Sequence, residues 1–287
     1  MEFPAYNDLP LITVNNQRKR CVWGIFDKDG KKDVYGCLNK VTPDVVAKAA
    51  AEVKDGVTIS LNGNTQSILY CVRLTGHVCV LQVEFNTQCS SQWDSLYWHA
   101  RGGLATRGVL VDYKAYADRK GIQYSPFSAH KITIAIVEDI VREQGVEFRR
   151  GDLFLLRTGY TEEIQAAKGE EEQIEMLNAP DSVGIEDTMQ AVEWFWNQHF
   201  SAVAADNVGF EVMRPTKNGV AASGTTADYV LHPNFLSLLG LHIGELWDLK
   251  ALSEYCHKTG RFTFMLTSMP LNFAGACGSP PNAMALF

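Results

Sequence analysis

The residues with the clearest chemical potential lie in one short stretch, Asn86-Thr87-Gln88-Cys89-Ser90-Ser91-Gln92-Trp93-Asp94. In an extended strand alternate side chains share a face, so this stretch is predicted to align Asn, Gln, Ser, Gln and Asp. A buried polar stripe of this kind needs a partner for every group. An exposed strand edge is the alternative, but the surrounding apolar residues Val80, Phe85 and Trp93 favour the lining of a pocket.

A second candidate group lies near the C-terminus, where Glu245 stands in the largely apolar run 243–249. A carboxylate in such a run is unusual unless it is paired. His232 is the nearby imidazole, although a lone histidine is more often a structural residue. If the fold brings His232, Glu245 and Asp94 together, they form a workable acid–base set.

The elements that must position these residues alternate between helices and strands, which predicts an α/β or α+β class. Helices are expected over 43–55, 112–120, 129–144 and 186–200. Strands are expected over 57–61, 78–85, 152–157, 201–205 and 262–267. Two segments read as surface insertions: the acidic segment 162–180, taken as a solvated face, and the Gly/Ser/Thr/Ala-rich segment 214–228, either a lid over the site or an inert loop.

Composition narrows the classes of function. The chain has 287 residues with a formal net charge of −7, which argues against a nucleic-acid partner. No apolar run approaches the roughly 20 residues that cross a bilayer, and no secretory signal is evident, so a cytoplasmic protein is expected. The seven scattered cysteines favour buried free thiols over a disulfide framework or a zinc cluster.

The chain resembles the cyclase family of metal-dependent hydrolases, which includes bacterial kynurenine formamidase and isatin hydrolase, and it looks closest to the fungal branch. The resemblance covers most of the chain. It rests on the order and spacing of these stretches: 23–26, 38–43, 86–96, 107–113, 126–130, 151–160, 205–206, 232, 244–249, 270–272 and 279–283.

The resemblance implies a single α/β domain over 1–287 with a mixed, barrel-like β core flanked by helices. It also implies a homodimer or higher homo-oligomer, in which the N-terminal segment 1–40 packs on a neighbouring subunit. The partner of the site is expected to be a small-molecule substrate, with neither nucleic acid nor membrane involved.

The family signature is His-x-Gly-Thr-His-x-Asp-x-Pro-x-His, and its first two histidines and its aspartate bind a divalent metal, often zinc or manganese. In this chain the two histidine positions fall on Gln88 and Gln92, and the aspartate falls on Asp94. The last histidine, the usual acid–base residue, falls on Trp98, with His99 one position late. His232 and Glu245 correspond to the later pair of the site.

These departures favour a site without a tightly held metal, because amide oxygens are weaker ligands for zinc than imidazoles. If a metal binds, the resemblance gives Mn²⁺ or Zn²⁺ as the ion. Its expected ligands are Asp94, His232, Glu245 and Gln92.

The catalytic candidates are Asp94, Glu245, His232 and His99, and the substrate-binding candidates are Gln88, Gln92, Trp23, Phe26 and Trp98. The leading hypothesis is metal-independent acid–base catalysis: dehydration, isomerisation or cyclisation of an oxygenated, natural-product-like intermediate. One alternative is a divalent-metal-dependent hydrolase of a formamide, lactam or lactone. The other is a non-catalytic homologue that binds a ligand.

Overall fold

The computed structural model describes residues 3–63, 73–77, 80–84, 87–88, 90–94, 103–213, 216–217, 220–221, 229–271 and 277–287. Its strands are β1 (Leu11–Val14), β2 (Gln17–Arg20), β3 (Thr58–Ser60), β4 (Arg73–His77), β5 (Val80–Glu84), β6 (Gln92–Asp94), β7 (Leu104–Asp112), β8 (Lys131–Ile132), β9 (Leu153–Arg157), β10 (Gly184–Ile185), β11 (Ala202–Ala205), β12 (Thr216–Lys217), β13 (Val220–Ala221), β14 (His242–Glu245), β15 (Thr263–Ser268), β16 (Gly278–Ser279) and β17 (Ala283–Leu286).

The α-helices are α1 (Pro43–Ala50), α2 (Tyr113–Lys120), α3 (Ile134–Glu143), α4 (Tyr160–Gln165), α5 (Glu170–Leu177), α6 (Met189–Asn197) and α7 (Lys250–Thr259). Two 3-10 helices, Tyr6–Asp8 and Gly36–Lys40, lie in the N-terminal segment, and a π-helix spans Pro233–Leu239.

A curled sheet of nine strands organises the molecule, in the order β16-β6-β14-β11-β9-β7-β15-β17-β3. The four central strands β14, β11, β9 and β7 are parallel, and the strands on both sides of them are antiparallel. This mixed sheet with flanking helices confirms the predicted α/β class. Since the parallel strands end at one edge, the residues that follow them are brought close together.

The apolar run of β9 shows why the sheet is covered on both sides. Phe154 and Leu156 pack into one hydrophobic cluster, and the alternating Leu153 and Leu155 pack into another. All five residues of β9 are buried. A nearly continuous apolar strand is typical of a parallel sheet with both faces covered, and the prediction for 152–157 is confirmed.

Capping residues place the helix boundaries. The side chain of Thr133 accepts a hydrogen bond from the backbone N–H of Ile136, so α3 begins after it, and Lys131–Ile132 pairs as β8 instead. The prediction of one helix over 129–144 was therefore wrong at its start. Thr188 caps α6 in the same way, which makes that helix shorter than the predicted 186–200.

The predicted extended strand over 86–94 is also shorter in the structure. Of its described residues, only Gln92–Asp94 pair as a strand, which lies inside the sheet between β14 and β16 rather than at an edge. Gln88 lies in a turn, and Asn86 and Cys89 lie outside the described residues.

The N-terminal segment packs against its own chain. The N–H of Val22 donates to Leu238 and the N–H of Cys37 donates to Gly240, which ties the segment to the π-helix and the turn after it. The predicted insertion 162–180 contains the end of α4 and all of α5. Of the segment 214–228, predicted as either a lid or an inert loop, only the backbone of the small hairpin β12–β13 lies within the described residues. None of the helices in the described ranges is long and apolar enough to span a membrane.

Candidate active site

The site forms where β6 pairs with the carboxyl end of β14. Gln92 and Glu245 are direct partners in the antiparallel register, and Asp94 is opposite Ile243. Because residues two apart on a strand share a face, Gln92 and Asp94 lie on the same side of the sheet as Glu245. The Gln92 Nε2 donates to Glu245 Oε2 over 2.6 Å.

His232 completes the group from the residue before the π-helix. Its Nε2 lies 3.1 Å from Glu245 Oε1, and its Nδ1 lies 2.7 Å from Oε1 of Glu211. Glu211 is fully buried, and it also accepts the backbone N–H groups of residues 230, 231 and 232. Glu211 therefore holds both the backbone and the ring of His232.

Asp94 is held from the other side by Gln88, whose Nε2 donates to Asp94 Oδ1 over 2.7 Å. Gly278 makes room for this contact, since a Cβ there would lie 2.7 Å from Gln88 Cγ. The two amides at positions 88 and 92 thus each donate to a carboxylate of the site.

Potential ligand atoms of Asp94, His232 and Glu245 all lie within 4.8 Å of one another. The structure therefore brings together five polar residues that the sequence analysis singled out: Gln88, Gln92, Asp94, His232 and Glu245.

The charges of the site are strongly coupled. Burial, and next the charge of Glu245, raises the pKa of Asp94 to about 6, against the lowering effect of the Gln88 hydrogen bond. Burial disfavours the charged form of His232, but its hydrogen bonds with Glu211 and Glu245 outweigh this effect and raise its pKa to about 10. Three carboxylates around one imidazole leave an excess of negative charge, which protonation of Asp94 or a bound cation can relieve.

The side chains present fit a hard or borderline divalent cation. Two carboxylates and one imidazole converge, and the Oε1 of Gln92 is buried without a hydrogen-bond partner in the described part of the chain. A converging set dominated by carboxylate oxygens suits Mn²⁺ or Mg²⁺, whereas zinc sites prefer imidazole and thiolate. The contact of His232 Nδ1 with Glu211 also matches the way in which metal-binding histidines are oriented.

The aromatic residues predicted to bind substrate lie away from these five residues or outside the described part of the chain. Trp23 and Phe26 line a different cleft, together with His242, and none of the five clustered residues lines that cleft. The indole of Trp23 donates to the carbonyl of Ser237, and Phe26 is buried in the core. Trp98 and His99 lie outside the described residues.

Sequence reasoning missed Glu211. The signal was available, because Glu211 stands between Phe210 and Val212, both buried, as Glu245 stands between apolar neighbours. A carboxylate in such a setting is unusual unless it is paired, and His232 is its partner.

Comparisons with known proteins agree with this architecture. The family model described as "Putative cyclase" matches residues 12–212. A crystal structure of a novel cyclase aligns with a TM-score of 0.73 and 25% identity, covering 93% of this chain and 99% of that chain.

Two more distant structures share the fold. An isatin hydrolase bound to the product analogue thioisatinate aligns with a TM-score of 0.59 and 13% identity, over 83% of this chain and 94% of that chain. Isatin hydrolase A from Ralstonia solanacearum aligns with a TM-score of 0.56 and 14% identity, over 85% and 98% of the two chains. The search of curated proteins found no match.

Proposed function

Because the chain belongs to the cyclase family, whose model matches more than half of its length, we propose that it is a divalent-cation-dependent hydrolase of a formamide, lactam or lactone. One observation carries the proposal: ligand atoms of Asp94, His232 and Glu245 meet within 4.8 Å at the carboxyl end of β14. The similarity of fold to two isatin hydrolases adds support for a hydrolase.

Asp94, His232, Glu245 and the Oε1 of Gln92 would hold the cation. A bound divalent ion supplies a Lewis acid and acidifies a bound water. The chain's own residues fix the geometry: Gln88 restrains Asp94, Gln92 restrains Glu245, and Glu211 keeps the Nε2 of His232 directed at the cluster. His99, predicted as the acid–base residue, keeps that role in the proposal.

Metal-independent acid–base catalysis is the second candidate: the dehydration, isomerisation or cyclisation of an oxygenated intermediate. The pKa of Asp94 near 6 favours it, since such a carboxyl can give up and regain a proton close to neutral pH. In that case Asp94 and the His232–Glu211 pair exchange protons with the substrate directly.

Chelation separates these functions. The purified protein is analysed for bound metals, and it is then assayed before and after dialysis against EDTA with a formanilide, isatin and a simple δ-lactone as substrates. We expect hydrolysis that EDTA abolishes and Mn²⁺ restores. Substituting Asp94→Asn should lower kcat/KM by about 10³-fold, in the range seen when key catalytic groups are lost.

The exposed Asp118 gives a matched control, and Asp118→Asn should retain full activity. Hydrolysis that is insensitive to EDTA would overturn the cation-dependent proposal and would favour acid–base catalysis without a metal, the chemistry on which the second candidate depends. Saturable binding of these compounds without turnover, in both the metal-loaded and the EDTA-treated protein, would instead identify a non-catalytic homologue.

A further inference from the structure

The Gln92 side chain is fixed in one orientation. Its residue is 7% exposed, and its Nε2 donates to Glu245 Oε2 over 2.6 Å. The backbone of Gln92 is held as well, because its carbonyl accepts the indole N–H of Trp247 over 3.2 Å. Position 92 therefore belongs to the rigid part of the site.

The two ends of this amide are not interchangeable. Rotating the amide by 180° would place Oε1 against the Glu245 oxygen, where two acceptors would repel each other. The observed orientation leaves Oε1 buried, and no described residue donates a hydrogen bond to it. Buried polar atoms in folded proteins have partners, so this oxygen requires one from outside the described chain.

We propose that Gln92 Oε1 is a cation ligand that shifts the ion preference of the site toward Mn²⁺ and Mg²⁺ and away from Zn²⁺. The inference rests on the cation site of the proposed function and adds which residue determines its selectivity. An amide oxygen is a hard, neutral donor, whereas an imidazole at the same position would favour zinc.

The expected effect is a change in a ratio of affinities. Sites built from nitrogen and oxygen ligands bind Zn²⁺ more tightly than Mn²⁺ in general, following the Irving–Williams order. With three oxygen donors and one nitrogen, the Zn²⁺ to Mn²⁺ affinity ratio should be smaller in this chain than in a variant with a second imidazole. With a smaller ratio of affinities, the concentrations of the available ions decide which ion occupies the site.

The experiment uses the full-length protein freed of metal and measures the dissociation constants of Mn²⁺ and Zn²⁺ by calorimetric titration, without any substrate. In Gln92→His we expect Zn²⁺ affinity to rise by about tenfold or more, while Mn²⁺ affinity changes by less than about threefold. In Gln92→Met, which keeps the size but removes the oxygen, Mn²⁺ affinity should fall by about tenfold or more, since even outer-shell groups contribute about 10- to 100-fold.

Gln190→His is the matched control, because it adds an imidazole at an exposed position of α6 and should leave both affinities unchanged. Circular dichroism and thermal melting establish that each variant is folded. An unchanged Zn²⁺ to Mn²⁺ ratio in folded Gln92→His, or unchanged Mn²⁺ affinity in folded Gln92→Met, would overturn the inference.

The result is separable from that of the hydrolase assay. If both ions bind with the expected ratios but none of the three substrates is turned over, the proposed function fails and the selectivity of Gln92 stands. If hydrolysis depends on a metal but the ratio of Zn²⁺ to Mn²⁺ affinity does not change with substitution at position 92, the proposed function stands and the selectivity role of Gln92 fails. That second result is also expected if the partner of Oε1 is a hydrogen-bond donor of the substrate and not a cation.

Discussion

The carboxylate of Glu211 lies 2.7 Å from Nδ1 of His232, and this contact leaves the opposite ring nitrogen facing Glu245 at 3.1 Å. Glu211 is fully buried and lies outside the trio of ligand atoms. It acts on the site through His232, by fixing the direction of the ring.

Replacing this carboxylate tests that role. In Glu211→Gln the new NH₂ group cannot accept the backbone N–H groups that the carboxylate now accepts, so we expect unfolding free energy to fall by about 2–4 kcal/mol. Mn²⁺ affinity should fall by about 10- to 100-fold. Urea unfolding and calorimetry measure the two effects, and the exposed Glu254→Gln is the control. Unchanged Mn²⁺ affinity in a folded variant would refute the positioning role.

The carboxyl of Asp94 should titrate near pH 6, because burial and the charge of Glu245 both raise its pKa. Removing that charge in Glu245→Gln should lower the pKa of Asp94, although burial should keep it above the ordinary value. Carbon-13 NMR of aspartate-labelled protein follows the titration directly. An Asp94 titration that is the same in both proteins would exclude electrostatic coupling between the two carboxyls.

The same shift has a consequence for stability. A carboxyl whose pKa is raised in the folded state stabilises the fold at pH values below its ordinary pKa. This contribution is lost as the pH rises through about 6. For the metal-free protein, unfolding free energy should therefore decline relative to Asp94→Asn between pH 4 and pH 6. Chemical denaturation at several pH values measures this difference, and a constant difference would contradict it.

Asp112 should behave in the opposite way. Burial disfavours its charged form, but hydrogen bonds from His257 and Ser253 and the charge of Arg157 lower its pKa to about 2. The contribution of Asp112 to the unfolding free energy amounts to about 2 kcal/mol. It is present at pH values above the ordinary pKa of the group and is lost as the pH falls through about 2. Asp112→Asn should destabilise the protein by about 3–5 kcal/mol at pH 7, because it breaks a buried ion pair.

The destabilisation by Asp112→Asn should shrink as the pH approaches 2, where the native carboxyl is also protonated. Urea titrations of both proteins at pH 7 and at pH 3 measure this change, with the exposed Asp118→Asn as control. A loss of stability that is the same at both pH values would assign the effect to packing rather than to charge.

Alanine substitutions at two glycines should have contrasting effects on stability. A Cβ at Gly278 would meet Gln88 Cγ, a flexible side chain, at 2.7 Å. Gly278→Ala should therefore cost less than about 1 kcal/mol but displace Gln88 and raise the pKa of Asp94 further. A Cβ at Gly108 would meet the buried ring of Phe264 at 2.4 Å, and Gly108→Ala should cost about 1–3 kcal/mol. Thermal melting and the Asp94 titration distinguish the two variants.

Local pattern predicted the centre of this fold better than its periphery. The run 152–157 reads as a covered strand because every residue of it is apolar or at a strand end, and β9 is fully buried. In the stretch 86–94 an extended chain would place the alternate residues 86, 88, 90, 92 and 94 on one polar face, which predicted one long strand. Its pairing partners, β14 and β16, cover only Gln92–Asp94, and pairing between distant segments cannot be read from local alternation.

The site was predictable to a similar extent. The family resemblance pointed to Asp94, His232 and Glu245, and the structure places potential ligand atoms of all three within 4.8 Å of one another. The orientation of Gln92 depends on the register between β6 and β14, which the sequence does not contain. Trp23 was expected beside these residues because aromatic rings often wall small-molecule sites, but its hydrogen bond to Ser237 places it in another cleft.

The direct pairing of Gln92 with Glu245 has a consequence for how such a site can diversify. The ladder between β6 and β14 is built by the backbone, so the side chain at position 92 can change without disturbing the strands. Under the role proposed for Gln92, a single codon change there would alter which ion the site prefers without altering the sheet. Proteins descended from one ancestor could in this way come to require different metal ions before any loop changes in length.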